Sequence, residues 1–197
     1  MATNLALQLQ DIEPDTDLNS IMIGNSRYTD DLWDLRPFIT AKSTKESHKY
    51  IHFEYISDED MKGTVKQYAY YKLGKTKPQT VRAYINGSLP MFIEYCTING
   101  IHSLVDVTLE DYLNFNLWMK DEKKVSIGTG FLTCHVVEEI IRIGQIKGWN
   151  VPQFYLPKTE TANQLWSTKK SMRTNKTKPI PEDVFDKILY HAVHDEK

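Results

Sequence analysis

Apolar residues recur at steps of three and four in four stretches of this chain, each bounded by helix start and stop residues. The first stretch opens with Ser57 as the predicted cap and Asp58, Glu59 and Asp60 in the first turn. Met61, Val65, Tyr68 and Leu73 form its stripe, and Gly74 ends it. The second follows a basic, proline-marked loop at 75–78. Val81, Tyr84, Ile85, Leu89, Phe92 and Ile93 share one face, and Asn99-Gly100 closes it. Gly87 and Pro90 fall inside this helix. An interior proline removes a hydrogen bond and costs about 3 kcal/mol, so the spacing predicts a kink near Gly87 or a restart at Pro90. The third takes Thr108 as its cap, with Leu109, Leu113 and either Leu117 or Trp118 facing inward. A charged connector at 121–124 follows. The fourth starts at Ser126 or Thr129. Phe131, Val136, Val137, Ile140, Ile141 and Ile143 are its apolar positions, and Gly148 its stop.

The pattern differs on either side of these helices. Residues 1–17 are polar and acidic and read as peripheral. Residues 18–56 read as short strands: Gly24-Asn25 marks a turn, and 50–56 alternates as a strand with two partly apolar faces. Trp33 and Phe38 are the expected anchors. Residues 151–197 read as a basic linker, followed by a short amphipathic helix after Pro181. The apolar face of that helix (Val184, Phe185, Ile188, Leu189, Ala192) has no later sequence to pack on. The expected organisation is therefore an acidic extension with short strands (1–56), a helical domain (57–150), and a linker with the first helix of a further domain (151–197). The fold class is mainly α.

Composition narrows the function. No apolar run approaches the roughly 20 residues of a membrane helix, and the acidic N-terminus is not a secretory signal, so a cytoplasmic protein with no membrane partner is expected. Cys96 and Cys134 both fall in predicted helices and read as buried reduced thiols. The net charge of −2 hides an asymmetry. Residues 1–60 carry 5 Lys/Arg against 12 Asp/Glu, and residues 61–197 carry 19 against 14. An acidic head and a basic body point to different faces or tasks.

Candidate chemistry concentrates at helix starts. Lys75, Lys77, Thr80 and Arg82 surround the start of the second helix, where free backbone amides and the helix dipole already favour an anion such as phosphate. The six histidines show no metal spacing, and Gly128-Thr-Gly130 lacks the remaining residues of a nucleotide loop, so no metal and no cofactor is expected. Glu138-Glu139 reads as solvated surface.

In order and motif the chain resembles the phage integrase, or tyrosine recombinase, family over roughly residues 57–192. KPQTVRAYINGSLPMFIEYC is similar to the family's loop-and-helix element of the core-binding domain, with Thr80, Tyr84, Ser88 or Leu89, and Phe92 in its positions. TLEDYLNF, SIGTGFLTCHVVEEIIRIGQIKGW and KTKPIPEDVFDKIL resemble its third helix, its fourth helix and its approach to the catalytic domain. The resemblance implies a SAM-like four-helix bundle that clamps duplex DNA alongside other recombinase protomers. Its second and fourth helices would meet the DNA. It nominates Lys75, Lys77, Thr80 and Arg82 at the second helix and Lys123, Lys124, Ser126, Thr129 and Thr133 at the fourth. Lys169, Lys170, Arg173, Lys176 and Lys178 follow in the linker. Most would touch phosphate, with Arg82 the candidate for a groove contact. The family's His-x-x-Arg element is absent, and His191-x-x-His194 lacks the arginine. No catalytic residue is carried over, and this chain is not expected to be an enzyme by itself. The alternative is a helical protein-interaction module whose acidic head and exposed aromatic residues bind a partner.

Overall fold

The computed structural model describes residues 17–39 and 43–166. They are mainly helical, with two small antiparallel sheets. In the first, β1 (Met22–Ile23) pairs with β2 (Ser26–Arg27) across the expected Gly24-Asn25 turn. Gly24 has φ +61°, and a Cβ there would strike the Asp34 carbonyl oxygen, so the turn needs glycine. In the second, β3 (Leu32–Asp34) pairs with β4 (Tyr50–His52). Trp33 is fully buried, donates its indole N–H to the Tyr28 carbonyl at 3.1 Å and meets Phe53 edge-on at 4.7 Å. It is an anchor, as expected. Phe38 is only half-buried, and Leu35, Ile51, Phe53 and Ile56 fill the role instead. The strand expected over 50–56 stops at His52. The chain then turns, with the Ile56 amide bonded to the Phe53 carbonyl at 3.0 Å.

The first helix, α1 (Glu59–Leu73), begins one residue later than the sequence indicates. Asp58, not Ser57, is the cap residue, and its carboxylate meets His102 Nδ1 at 2.9 Å rather than the helix amides. Met61, Val65, Tyr68 and Leu73 are buried, as their spacing predicts.

The second helix is broken where its glycine and proline fall. Its parts are α2 (Pro78–Arg82), a π-helical turn (Ala83–Ser88) and α3 (Leu89–Ile98). The physical reason can be traced bond by bond. The Leu89 amide bonds the Tyr84 carbonyl, five residues back. In the same register the next bond would run from Pro90 to the Ile85 carbonyl, and proline has no N–H. Tyr55 supplies the missing donor, its hydroxyl bonding the Ile85 carbonyl at 2.7 Å. Asn86, in the same turn, covers the free edge of β4. Its Oδ1 accepts the His52 amide and its Nδ2 donates to the Tyr50 carbonyl, both at 3.1 Å. The core therefore runs across position 56/57, joining strands and helices in one cluster. Tyr55→Phe is expected to cost about 1–3 kcal/mol in urea unfolding, because it orphans a buried carbonyl. In a Pro90→Ala background, where an amide is restored, the same substitution should cost clearly less.

The third helix, α4 (Leu109–Asp121), has Thr108 as its cap, with a reciprocal bond to Asp111. Leu109, Leu113 and Trp118 pack against the core as expected, but the deepest positions are others. Tyr112, Phe115, Asn116 and Met119 are buried, Leu109, Leu113 and Trp118 are half-buried, and Leu117 is 54% exposed. Aromatic packing decides this rotation: the Phe115 ring lies 5.0 Å from Phe92 and 5.3 Å from Tyr95.

The fourth helix, α5 (Ile127–Lys147), starts at Ser126 and ends at Gly148, whose φ is +70°. Val136, Val137, Ile140, Ile141 and Ile143 are buried as expected, and Phe131 is half-buried. The chain does not then leave as a linker. Residues 151–166 run back along α5 as a strap. Val151 packs on Gly144, where a Cβ would come within 2.5 Å of it. Gln145 Nε2 donates to the carbonyls of Pro152 at 2.8 Å and Phe154 at 3.0 Å. A single turn, α6 (Ala162–Leu165), delivers Trp166 onto Gly130. There the Trp166 indole donates to Asn116 Oδ1 at 2.7 Å, which also accepts the Cys134 thiol at 2.8 Å. This compact unit ends at Trp166. Burial pushes the free thiols of both Cys96 and Cys134 up to about 12. The basic residues expected in the linker (Lys169, Lys170, Arg173, Lys176, Lys178) and the helix after Pro181 lie outside the described residues.

Candidate nucleic-acid interface

The start of α5 is the more open of the two nominated sites. Ser126 Oγ accepts the Thr129 amide at 3.2 Å and lies 2.9 Å from the Thr129 hydroxyl. The Ile127 and Gly128 amides make no hydrogen bond among the described residues. No acidic side chain occupies the first turn, so nothing there offsets the positive end of a 21-residue helix. Lys124, Ser126 and Thr129 are exposed. Lys124 sits at φ +51°, the one non-glycine residue with positive φ among those described.

Two other nominees at this end are committed elsewhere. Lys123 is ion-paired with Glu94 at 2.6 Å and lies 4.7 Å over the Trp118 ring. Thr133 is 1% exposed and faces the core, which overturns its nomination as a DNA contact. Four residues apart, Thr129 and Thr133 lie on the same side of α5, but Thr129 is exposed in the first turn while Thr133, one turn on, is covered by the core.

At the other site, Lys75 and Lys77 are exposed, with Lys75 lying 5.0 Å over the Tyr71 ring. Lys77 is the cap position of α2, and its carbonyl takes the Thr80 amide at 2.9 Å. Thr80 is half-buried. Arg82 is half-buried too, and its Nε is sealed from solvent without a hydrogen-bond partner. That placement leaves Arg82 poorly disposed to reach into a DNA groove.

The two sites do not merge. Lys72 bonds Glu139 on α5 at 2.9 Å and lies 5.8 Å over Tyr84, while Glu94 on α3 meets Lys123 just before α5. Residue numbers rise along 84–94 as they fall from 139 to 123 on the facing helix. The run 78–98 is therefore antiparallel to α5. At about 1.5 Å per residue, the two starts stand on the order of 20 Å apart.

Glu138 and Glu139, expected as solvated surface, are built into the fold. Glu138 Oε1 accepts the Tyr112 hydroxyl at 2.6 Å and the Ala162 amide at 2.5 Å, tying α4 and the strap to α5. Glu139 accepts the Tyr68 hydroxyl at 2.6 Å as well as Lys72. Burial acts to raise the Glu139 carboxyl, but the bonds from Tyr68 and Lys72 outweigh it and hold it below the usual range. Two further carboxyls are also lowered. Bonding from Arg36 holds Asp34 well down, and Lys62 and Lys66 overcome the burial of Asp31. A carboxyl held lower in the folded chain than in the unfolded one stabilises above its unfolded value, and that stability is lost as pH falls. Denaturant midpoints should therefore hold near neutrality and drop progressively below about pH 4.

Sequence reading missed a groove of about 430 Å³ between α5 and the strap, floored by Tyr112 and Ile141 and walled by Phe154 and Leu156. The signal was faint: aromatic residues spaced through a proline-rich stretch otherwise read as linker.

No family model matches the chain, and no curated protein or solved structure matches it significantly. Among the described residues, no helix is long and apolar enough to cross a membrane, and no three His, Cys, Asp or Glu residues are grouped to hold a metal.

Proposed function

We propose that this chain is a duplex-DNA-binding module, the SAM-like core-binding part of a tyrosine recombinase, working on DNA beside other recombinase protomers. The observation that carries the reading is the exposed, acid-free start of α5 with Lys124, Ser126 and Thr129 around it. A phosphate placed there gains two free amides, the one hydroxyl proton that the Ser126–Thr129 pair leaves unused, and an ammonium. The second start, with Lys75 and Lys77, lies at a distance that one face of a duplex spans within a helical turn of about 34 Å. Two separated phosphate grips set position and orientation without reading sequence. The resemblance assigns strand cleavage to a catalytic domain and leaves this part to hold the DNA.

Fluorescence anisotropy on a labelled duplex across a salt series tests the reading, with Lys124→Gly as the variant. Glycine relieves the positive φ while removing the charge, so weaker binding cannot be blamed on misfolding. The expected result is a linear fall of log K with log salt, with a slope lower by about one in the variant. Absence of duplex binding at low salt would sink the reading. The alternative, a protein-interaction module, draws on Ile127 and Leu132, exposed beside the same helix end, and predicts partner binding with no salt slope.

A further inference from the structure

The groove along α5 is polar and apolar by turns, and most of its polar groups are already used by the fold. Glu138 and Glu139 hold hydroxyl, amide and ammonium donors, Gln145 holds the strap, and the Thr161 hydroxyl donates to the Lys158 carbonyl at 3.0 Å. What remains is Arg142, Tyr155, Asn163 and His135, which is stacked on Phe131 with ring centroids 5.9 Å apart. Arg142 is exposed in the groove and makes no ion pair or hydrogen bond among the described residues, although it lies four residues from Glu138 and three from Glu139. Its guanidinium offers five unused donors. On the strap side, Tyr155 is 81% exposed, a flat ring lying open at the groove's lip. Glu139 is offset by Lys72 at 2.9 Å, but the Glu138 carboxylate has no cation within salt-bridge distance among the described residues. A ligand's anionic group is therefore excluded from the Glu138 end and drawn one turn along, to Arg142. Its neutral, planar part is left for the Tyr155 side.

We propose that this groove takes an unpaired nucleotide, the base stacked on Tyr155 and the phosphate held by Arg142. The groove's volume falls within the range of small-ligand pockets, roughly 300–1,000 Å³. Base-on-aromatic stacking beside an arginine is a recurrent way of holding single strands. The proposal rests on the DNA-binding reading for its choice of nucleotide over other aromatic anions. It adds a second kind of DNA contact: an end, a gap or a melted base held along α5, away from the phosphate grip at its start.

The test is anisotropy of a labelled oligo-dT at physiological salt, with dTMP as competitor, on wild type, Tyr155→Ala, Tyr155→Phe and Arg142→Gln. Both side chains are exposed, so the variants should fold. Wild type and Tyr155→Phe should bind, and Tyr155→Ala and Arg142→Gln should each lose about fivefold or more. Displacement by dTMP would assign the site to a nucleotide of any source, and binding of the oligonucleotide without displacement would assign it to one within a strand. Both results support the proposal. No oligo-dT binding, or binding unchanged in both variants, would overturn it. Duplex binding reports separately. Oligo-dT bound in the groove without any duplex binding would keep this site and discard the duplex grip, and the reverse pattern would do the opposite.

Discussion

Trp166→Ala is expected to lower the stability of the unit by about 3–5 kcal/mol, the largest effect of any single substitution argued from this fold. Three losses coincide. The ring that fills the space over Gly130 disappears, and with it the face that Lys120 Nζ lies 5.1 Å above. Asn116 Oδ1 loses its indole donor in a buried place and keeps only the weak thiol of Cys134. The strap loses its terminal anchor, so the wall that carries Tyr155 is left to Gln145, Glu138, Val151 and the packing of Phe154 and Leu156 on the core. Trp166→Phe should fall between, since it keeps most of the volume and loses the N–H. Urea unfolding followed by circular dichroism reads both. A midpoint unchanged in Trp166→Ala would mean the strap is not part of the cooperative unit.

Thr129→Glu is expected to separate binding from stability. A glutamate three residues after the Ser126 cap completes a capping box and places a negative charge at the positive end of α5, so the helix should be held or slightly stabilised. The same charge sits where the proposed phosphate would bind. Duplex affinity at low salt should fall about tenfold or more, with a shallower salt slope, while the thermal midpoint stays level or rises. Because the protein would be no less folded, lost binding would locate the contact at this helix end. Undiminished duplex binding would move the interface away from α5 and favour the Lys75–Lys77 end alone.

The helices were legible because each is signalled locally. Thr108 and Ser126 cap with their own side chains, Gly148 stops α5 through its left-handed conformation, and the period of Met61, Val65 and Tyr68 names a face whatever that face meets. Pro90 announced a break because the missing donor is a property of proline itself. The rotation of α4 was not legible. Leu113 and Leu117 are good core residues, and only the presence of Phe92 and Tyr95 across the interface makes Phe115 the better one. The candidate site was legible in part. Lys75, Lys77, Lys124, Ser126 and Thr129 are exposed as a DNA contact requires, whereas Thr133 is buried and Lys123 is neutralised by Glu94, a residue 29 positions away.

By itself, the sequence determined where the helices begin, end and break, that the class is mainly α, and that positive charge gathers in the body of the chain. These follow from capping, periodicity and composition, which act over a few residues. Tertiary structure alone decided that strands and helices share one core through Tyr55 and Asn86. It alone decided that 151–166 is a strap locked by Trp166, and that Glu138 and Glu139 are internal ties. It also set the two basic helix starts at opposite ends of an antiparallel pair. Each of these depends on a partner 24 or more residues away in the chain, and no local pattern encodes which distant donor, ring or carboxylate will arrive.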